Sequence, residues 1–451
     1  MGFLHRLLNL EWLVALAAAP FLTFPTVRPR WTVVALVVLV VWWMLRWALQ
    51  REPWPLTPFN GALLLFVLML LVGIKVSTIP ELTLPKAAGL ILGFVVFRAV
   101  TLAVTRHGLL AVALALFCLI GLGILLIGLL ATDWSPKVLA LAAVAERIPR
   151  IISQLPESQA EGVSPNQLAG VLAFYAPLSL ALLGGVRWRR AHPLLVFPAS
   201  LGGLAFILFT VGGLLLTQSR SGWIGGAVGV LGLLTLAGLS APRRWEQILG
   251  MALPLLAVGI ITALVLHIGP ERMGELLNGG ETGGIEKVVG IINMAGRVEI
   301  WDRALYAIRD FPFTGCGLGT FRLVARILYP LDPSRVFPDR DISHAHNIFL
   351  QTALDLGIPG LIAYLALLVI AGAICWRVAR RGDPLARPMA IGLASGLLAL
   401  HAYGMTDALA LGSKPAVIFW FALGLVAALP RAREPVPSEA RDVPSAFRAS
   451  Q

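Results

Sequence analysis

Apolar runs of roughly twenty residues recur along most of this chain, and no other feature limits its fold as severely. A helix of that length rises about 30 Å, the thickness of the hydrocarbon layer of a bilayer. The runs lie at about Leu10–Val27, Trp31–Leu49, Phe59–Gly73, Leu84–Ala103, Leu109–Ala131, Asn166–Gly184, Leu194–Leu216, Gly222–Leu239, Trp245–Ile268, Ile348–Trp376, Met389–Leu411 and Pro415–Leu429. Inside lipid a backbone finds no water, so each N–H and C=O must be paired within the segment, and single runs of this length do so as helices. Only 13% of the 451 residues are charged, against about a quarter in an ordinary soluble domain, and mean hydropathy is +0.83. The predicted fold class is all-α, a polytopic membrane protein with about 12 transmembrane helices.

Charge sets the expected orientation, because Lys and Arg in short loops stay on the cytoplasmic side. With both termini inside, the cytoplasmic segments hold eighteen arginines, among them Arg46, Arg98, Arg106, Arg243, Arg244, Arg377 and Arg387, and the short outer loops hold six basic residues: Arg28, Arg30, Lys75, Lys86, Arg220 and Lys414. The alternation holds with twelve spans and fails with eleven. The net charge of +12 thus reports topology and contact with anionic headgroups; no basic stripe with interleaved aromatics marks a nucleic-acid partner. Most tryptophans, including Trp12, Trp31, Trp134, Trp188, Trp223, Trp245 and Trp376, fall at predicted span ends as an interfacial belt. Cys118 and Cys375 lie inside spans and Cys316 stands alone in a loop, so neither a disulfide framework nor a zinc cluster is expected. The first span has no small-residue cleavage site after it and is read as retained.

The chain reads as one membrane domain over residues 1–429, interrupted by outer segments at 132–165 and 270–346, with a disordered cytoplasmic tail at 430–451. A short helix is expected around Val138–Ile152, and the Gly-rich Glu271–Gly284 reads as a mobile strap. Beyond it, Val298, Trp301, Leu305 and Ile308 recur at helical spacing, which predicts an amphipathic helix with Arg297 in its first turn and a stop at Phe311-Pro312. Gly315, Gly317 and Gly319 follow; without a preceding strand they read as a tight turn between two short helices rather than as a dinucleotide loop.

The large outer segment also concentrates residues capable of chemistry. Arg220, at the outer end of the seventh span, and Arg297 could together form a bidentate clamp for phosphate oxygens; each could instead be an interfacial or helix-surface arginine. His344 and His346 stand where the segment re-enters the membrane, and a neutral imidazole there could take a proton from an attacking hydroxyl. A structural role for both is the plainer alternative, and a zinc site would need a third and fourth ligand, which only His401 and scattered carboxylates could supply. Asn347 is placed to cap the span that follows, and Gly357-Ile358-Pro359-Gly360 predicts a kink in it. Asp339-Arg340-Asp341 has the spacing of an Asp-x-Asp metal motif, which is common by chance. Asp407, near the outer end of the eleventh span, must be hydrated or paired, either as a functional acid or in a structural ion pair.

Taken in order, Ser219-Arg220-Ser221-Gly222-Trp223, Gly296-Arg297-x-x-x-Trp301, Pro312-x-x-Gly315-x-Gly317-x-Gly319-x-Phe321, His344-Ala345-His346-Asn347-x-x-Leu350 and Gly357-Ile358-Pro359-Gly360 resemble the O-antigen ligase and polymerase superfamily of bacterial inner-membrane glycosyltransferases. The close match covers about Arg297–Leu361. The resemblance implies a GT-C-type fold and a multi-pass protein of the inner membrane, with its site on the periplasmic side and no cofactor or metal. It implies an undecaprenyl-diphosphate-linked glycan as donor and lipid A-core (ligase) or another glycan (polymerase) as acceptor. On the matching positions Arg220 and Arg297 would grip the diphosphate and His346 would orient or deprotonate the acceptor, with His344 a second candidate and Asp407 a looser carry-over. A lipid-linked-sugar transporter or flippase is the reading from another class; it predicts paired interrupted spans, which the sequence lacks.

Overall fold

A computed structural model describes residues 11–51, 54–134, 141, 143–144, 147–157, 163–185, 193–269, 292–330, 342, 344–381 and 386–430. Among these the regular structure is helical, apart from a single parallel bridge between Thr132 and Val163. In chain order the helices are α1 Glu11–Thr23, α2 Pro29–Gln50, α3 Asn60–Val76, α4 Pro80–His107, α5 Leu110–Ala131, α6 Pro165–Gly185, α7 Pro193–Leu216, α8 Arg220–Leu239, α9 Arg244–Ile268, α10 Ile292–Asp310, α11 Phe321–Ile327, α12 Ile348–Arg381, α13 Ala386–Gly404 and α14 Val417–Ala428. Proline opens α2 and α4, where a missing N–H costs nothing, and Gly108 in a left-handed conformation closes α4.

Each of the twelve apolar runs has become helix over most of its length, and among the described residues seven helices are long and apolar enough to cross a membrane: α2, α4, α5, α6, α8, α9 and α12. Glu11–Thr23, Asn60–Val76 and Lys414–Ala428 are apolar and shorter. Of the expected outer helix Val138–Ile152, residues 141, 143 and 144 are helical, 147–152 are turn and irregular backbone, and the other positions lie outside the described residues. The expected strap 271–284, the Asp339-Arg340-Asp341 motif and the tail beyond residue 430 lie outside them as well.

Helices α6, α8 and α13 pack on one another at the centre, α14 lies against α4, and α12 runs between α3 and α13. Small residues bring these helices close, since lipid supplies no hydrophobic drive for one helix to prefer another and packing must do so. A Cβ at Gly225 of α8 would stand 2.7 Å from the carbonyl oxygen of Ala399 on α13, and one at Gly170 of α6 would stand 2.5 Å from the Tyr403 ring. By contrast α9, with 6% of its apolar window buried, presents nearly its whole surface outward, as a lipid-facing helix would.

At one end of this bundle α10 and α11 lie over the start of α12 and share with it a small core of Ile300, Ala304, Ala307, Phe321, Ala325, Ala345 and Leu354. The helix α10 begins at Ile292, so Arg297 sits in its second turn rather than its first. Its buried face also differs from the expected one: Ile300, Ala304 and Ala307 face inward, whereas Val298 and Leu305 are exposed. Alanines allow the helix to approach α12 closely; the larger apolar side chains are left on the outside. Gly315, Gly317 and Gly319 all have positive φ in the turn between α10 and α11, as the expected tight turn requires.

The kink in α12 is at Gly357, with φ 70 and ψ 176, two residues before Pro359. Ile358 N–H leaves the helical ladder and donates to the Pro312 carbonyl at 2.7 Å. Only glycine fits: its φ belongs to the left-handed half of the map, and a Cβ would come within 2.3 Å of the Phe313 carbonyl oxygen. Gly357→Ala should therefore cost on the order of 1–3 kcal/mol, seen as a lower unfolding temperature of the detergent-purified chain. An unchanged temperature would remove this account of the break.

Candidate functional site

Four segments far apart in sequence meet at that end of the bundle. Arg220 opens α8, one residue after Ser219, whose hydroxyl accepts the Gly222 N–H at 3.4 Å and caps the helix. The arginine thus begins the eighth apolar helix instead of ending the seventh, and it is exposed. Arg297 comes from α10. His344 and His346 stand in the turn before α12, which Asn347 caps by accepting the N–H groups of Phe349 (2.9 Å) and Leu350 (3.1 Å). Asp407 follows α13, which ends at Gly404, so the acid lies in a turn beyond the helix and not within the eleventh span.

Asp407 is the centre. Only 2% exposed, it faces His346 Nδ1 at 3.3 Å and His344 Nε2 at 3.7 Å with one oxygen, and Arg297 Nη2 at 3.9 Å with the other. The Ala408 N–H donates to it at 2.8 Å. Burial pushes its carboxyl up, but the His346 hydrogen bond, the two histidines and the Ala408 N–H outweigh this and hold it below its ordinary value. Arg220 lies near enough to Arg297 for the two charges to repel. Thr406 Oγ1 donates to Ser221 Oγ at 2.9 Å, which ties the arginine's helix to the turn carrying Asp407. All five residues singled out from the sequence are thereby gathered: Arg220, Arg297, His344, His346 and Asp407. His401 is not; its ring pairs with the Tyr364 hydroxyl at 2.6 Å.

The two histidines are not equivalent. The His346 backbone N–H donates to His344 Nδ1 at 3.1 Å, so that nitrogen must be unprotonated and the neutral ring carries its proton on Nε2. Burial above all, then the charges of His346, Lys86 and Arg297, overcome the attraction of Asp407 and push His344 down to about 3. His346 has φ 49, and its ring donates from Nδ1 to Asp407, which leaves Nε2 with a free lone pair. At 28% side-chain exposure it is the histidine open to a ligand, against 11% for His344.

Sequence reasoning missed the frame that holds this turn. Gln351 accepts the Ala345 N–H at 2.8 Å and donates to Asp355 at 2.9 Å, and Asp355 also accepts the Gly319 N–H at 2.8 Å. Lys86 stands 3.8 Å from the other Asp355 oxygen, and among the described residues its ammonium has no hydrogen-bond partner. A lysine inside the run Leu84–Ala103 and a carboxylate inside Ile348–Trp376 were the available signals, since charge within an apolar span needs a reason.

His344, His346 and Asp407 offer ligand atoms within 4.8 Å of one another, a spacing that could hold a metal ion. The Arg297 guanidinium beside the same carboxylate opposes a second cation there. The donor set offers an open imidazole nitrogen at His346 and two guanidinium groups of a kind that binds anions.

An all-helical membrane protein with an imidazole–carboxylate pair beside two arginines is the class these features define. Residues 204–365 match the family model Wzy_C, described as O-antigen ligase, and this supports the O-antigen ligase and polymerase superfamily read from the motifs. The matched stretch includes Arg220, Arg297, His344 and His346 and stops short of Asp407. No curated protein matches the chain.

Acid should destabilise the fold in a defined window. An unfolded chain protonates His344 near the ordinary imidazole value of about 6.5, whereas the folded chain does so only near 3. Between these values the unfolded state binds more protons, so stability falls as pH drops, and Asp407, also held low, adds to the loss at the acid end. Unfolding temperatures measured from pH 7 to pH 4 should decline, and His344→Gln should flatten the decline; an identical slope would contradict the burial argument.

Proposed function

We propose that this protein is a glycosyltransferase of the O-antigen ligase type, moving a glycan from undecaprenyl diphosphate to an acceptor hydroxyl at the periplasmic face of the inner membrane. The reading includes twelve crossings, a GT-C-type fold and a catalytic outer segment at 270–346. The observation that carries it is the convergence of Arg297, His344 and His346 on the buried Asp407, with Arg220 alongside.

In the reaction the acceptor oxygen attacks the anomeric carbon as the bond from that carbon to the diphosphate oxygen breaks. His346 takes the hydroxyl proton on Nε2, and Asp407 orients its ring and stabilises the imidazolium through Nδ1. Arg220 and Arg297 hold the diphosphate and stabilise the negative charge it gains on leaving. His344, held neutral, supports the His346 backbone instead of acting as base. Displacement from the face opposite the leaving group inverts the anomeric configuration. Because the leaving group is already a diphosphate met by fixed guanidiniums, the reaction is proposed to need no metal.

Lipid A-core is the proposed acceptor; another lipid-linked glycan, giving a polymerase, is the alternative. Purified chain supplied with both acceptors and a lipid-diphosphate glycan should extend one of them, and chelator should not stop it. His346→Ala should abolish turnover while donor binding survives. Asp407→Asn should lower kcat by about 10²–10⁴-fold. Full activity in His346→Ala would eliminate the proposed base. Arg297→Lys should raise KM for the donor and slow turnover, because an ammonium cannot replace the bidentate fork; wild-type kinetics there would exclude the clamp.

A further inference from the structure

Lys86 holds a place that hydrophobic packing does not account for. It stands in the second turn of α4, where three pieces of the site's surroundings meet. A Cβ at Gly319 would come within 2.9 Å of the Lys86 Cδ, so the lysine stem lies across the glycine turn between α10 and α11. Its backbone carbonyl meets Gly412, a little beyond Asp407 in the chain, where a Cβ would stand 2.3 Å from the oxygen. The ammonium ends 3.8 Å from Asp355 Oδ2 of α12.

This Nζ is sealed from solvent and, among the described residues, has no hydrogen-bond partner. A buried ion pair gains little over its cost of desolvation, and two apolar side chains would pack there at no such cost. Being sealed, Nζ cannot touch a ligand, so Lys86 acts through Asp355. Asp355 divides its oxygens: Oδ1 accepts the Gly319 N–H at 2.8 Å and a Gln351 Nε2 hydrogen at 2.9 Å, and Oδ2 faces Lys86. Gln351 in turn uses Oε1 to accept the N–H of Ala345, the residue between the two histidines, at 2.8 Å. A line of contacts thus runs from α4 through α12 to the backbone that carries the His346 ring. Lys86 is also near enough to His344 for its charge to act on that ring.

Resting on the transferase reading, we propose that Lys86 is a positioning residue for the reaction: it fixes Asp355 and Gln351, and through them the turn that brings His346 Nε2 to the acceptor hydroxyl. The lysine itself touches neither substrate. Proton transfer at hydrogen-bond distance tolerates little displacement, and a shift of about 1 Å costs on the order of 10²-fold in rate.

The test uses the full chain in detergent with a lipid-diphosphate glycan as donor, and measures turnover, donor affinity and backbone hydrogen exchange of residues 344–351. Lys86→Met leaves Oδ2 without its cation; it should lower kcat on the order of 10²-fold, leave donor affinity unchanged and quicken exchange at Ala345. Asp355→Asn keeps an oxygen for both hydrogen bonds but sets an amide NH₂ against the ammonium, and should show the same losses. The double variant Lys86→Met/Asp355→Asn removes both charges and keeps both hydrogen bonds, so most of the turnover and of the exchange protection should return. Gln351→Met breaks the line without touching either charge; it should also lower kcat alone, and it decides the matter should Lys86→Met fail to fold. Hydrogen exchange needs no turnover, so a wild-type chain that transfers no glycan would remove the transferase reading while the exchange pattern still decides whether Lys86 holds the turn. Wild-type kcat and exchange in both Lys86→Met and Gln351→Met, a double variant no better than its parents, or an equal loss of donor affinity would overturn the proposal.

Discussion

The structure around the candidate site depends on one buried carboxylate. Asp407 is withdrawn from water almost completely, and an ionised acid in such a place is stable only among cations and donors. Its partners come from before α12, from α10 and from its own turn, so satisfying it requires the outer segment to fold back over the bundle. The docking of α10 on α12, the break at Gly357 and the three glycines with positive φ all serve that return. Electrostatics sets the demand, and backbone geometry at a few glycines lets the segment return to the carboxylate.

The same carboxylate separates two histidines only two residues apart. His344 is sealed in, with Nδ1 occupied by a backbone N–H and its protonation opposed by burial. His346 makes the closer contact with Asp407 and keeps its outer nitrogen available. Identical side chains thus acquire different surroundings, one sealed in and one with a ring nitrogen open to a ligand. Beneath them Gln351 and Asp355 fasten the turn from one side, and Asn347 caps the helix on the other. A base that must meet a hydroxyl at hydrogen-bond distance needs a frame of this kind.

Much of the architecture was legible in the sequence because lipid leaves so few options. Apolar runs had to become helices, and each of them did; how many are long and apolar enough to span was less legible, since α14 at twelve residues is buried by its neighbours rather than by length. Arg220, Arg297, His344, His346 and Asp407 stood out as charged or titratable groups at the edges of apolar runs. Asp355 and Gln351 did not, since each lies inside a run where hydrophobic neighbours conceal it, and Lys86 was read only as an outer-loop charge whose partner Asp355 is far away along the chain. The inward face of α10 was misread for a related reason: periodicity favours large apolar residues, whereas close helix contact favours the alanines at 304 and 307.

By itself the sequence determined the helical, membrane-embedded class of the protein and the residue types available for chemistry, because burying a backbone in hydrocarbon and placing charge at its edges follow rules local to each segment. Only the tertiary structure decided which of those residues share a carboxylate and which histidine keeps a free nitrogen. These are properties of contacts between segments up to hundreds of residues apart, and no local rule of spacing or hydropathy carries information about distance across a folded bundle.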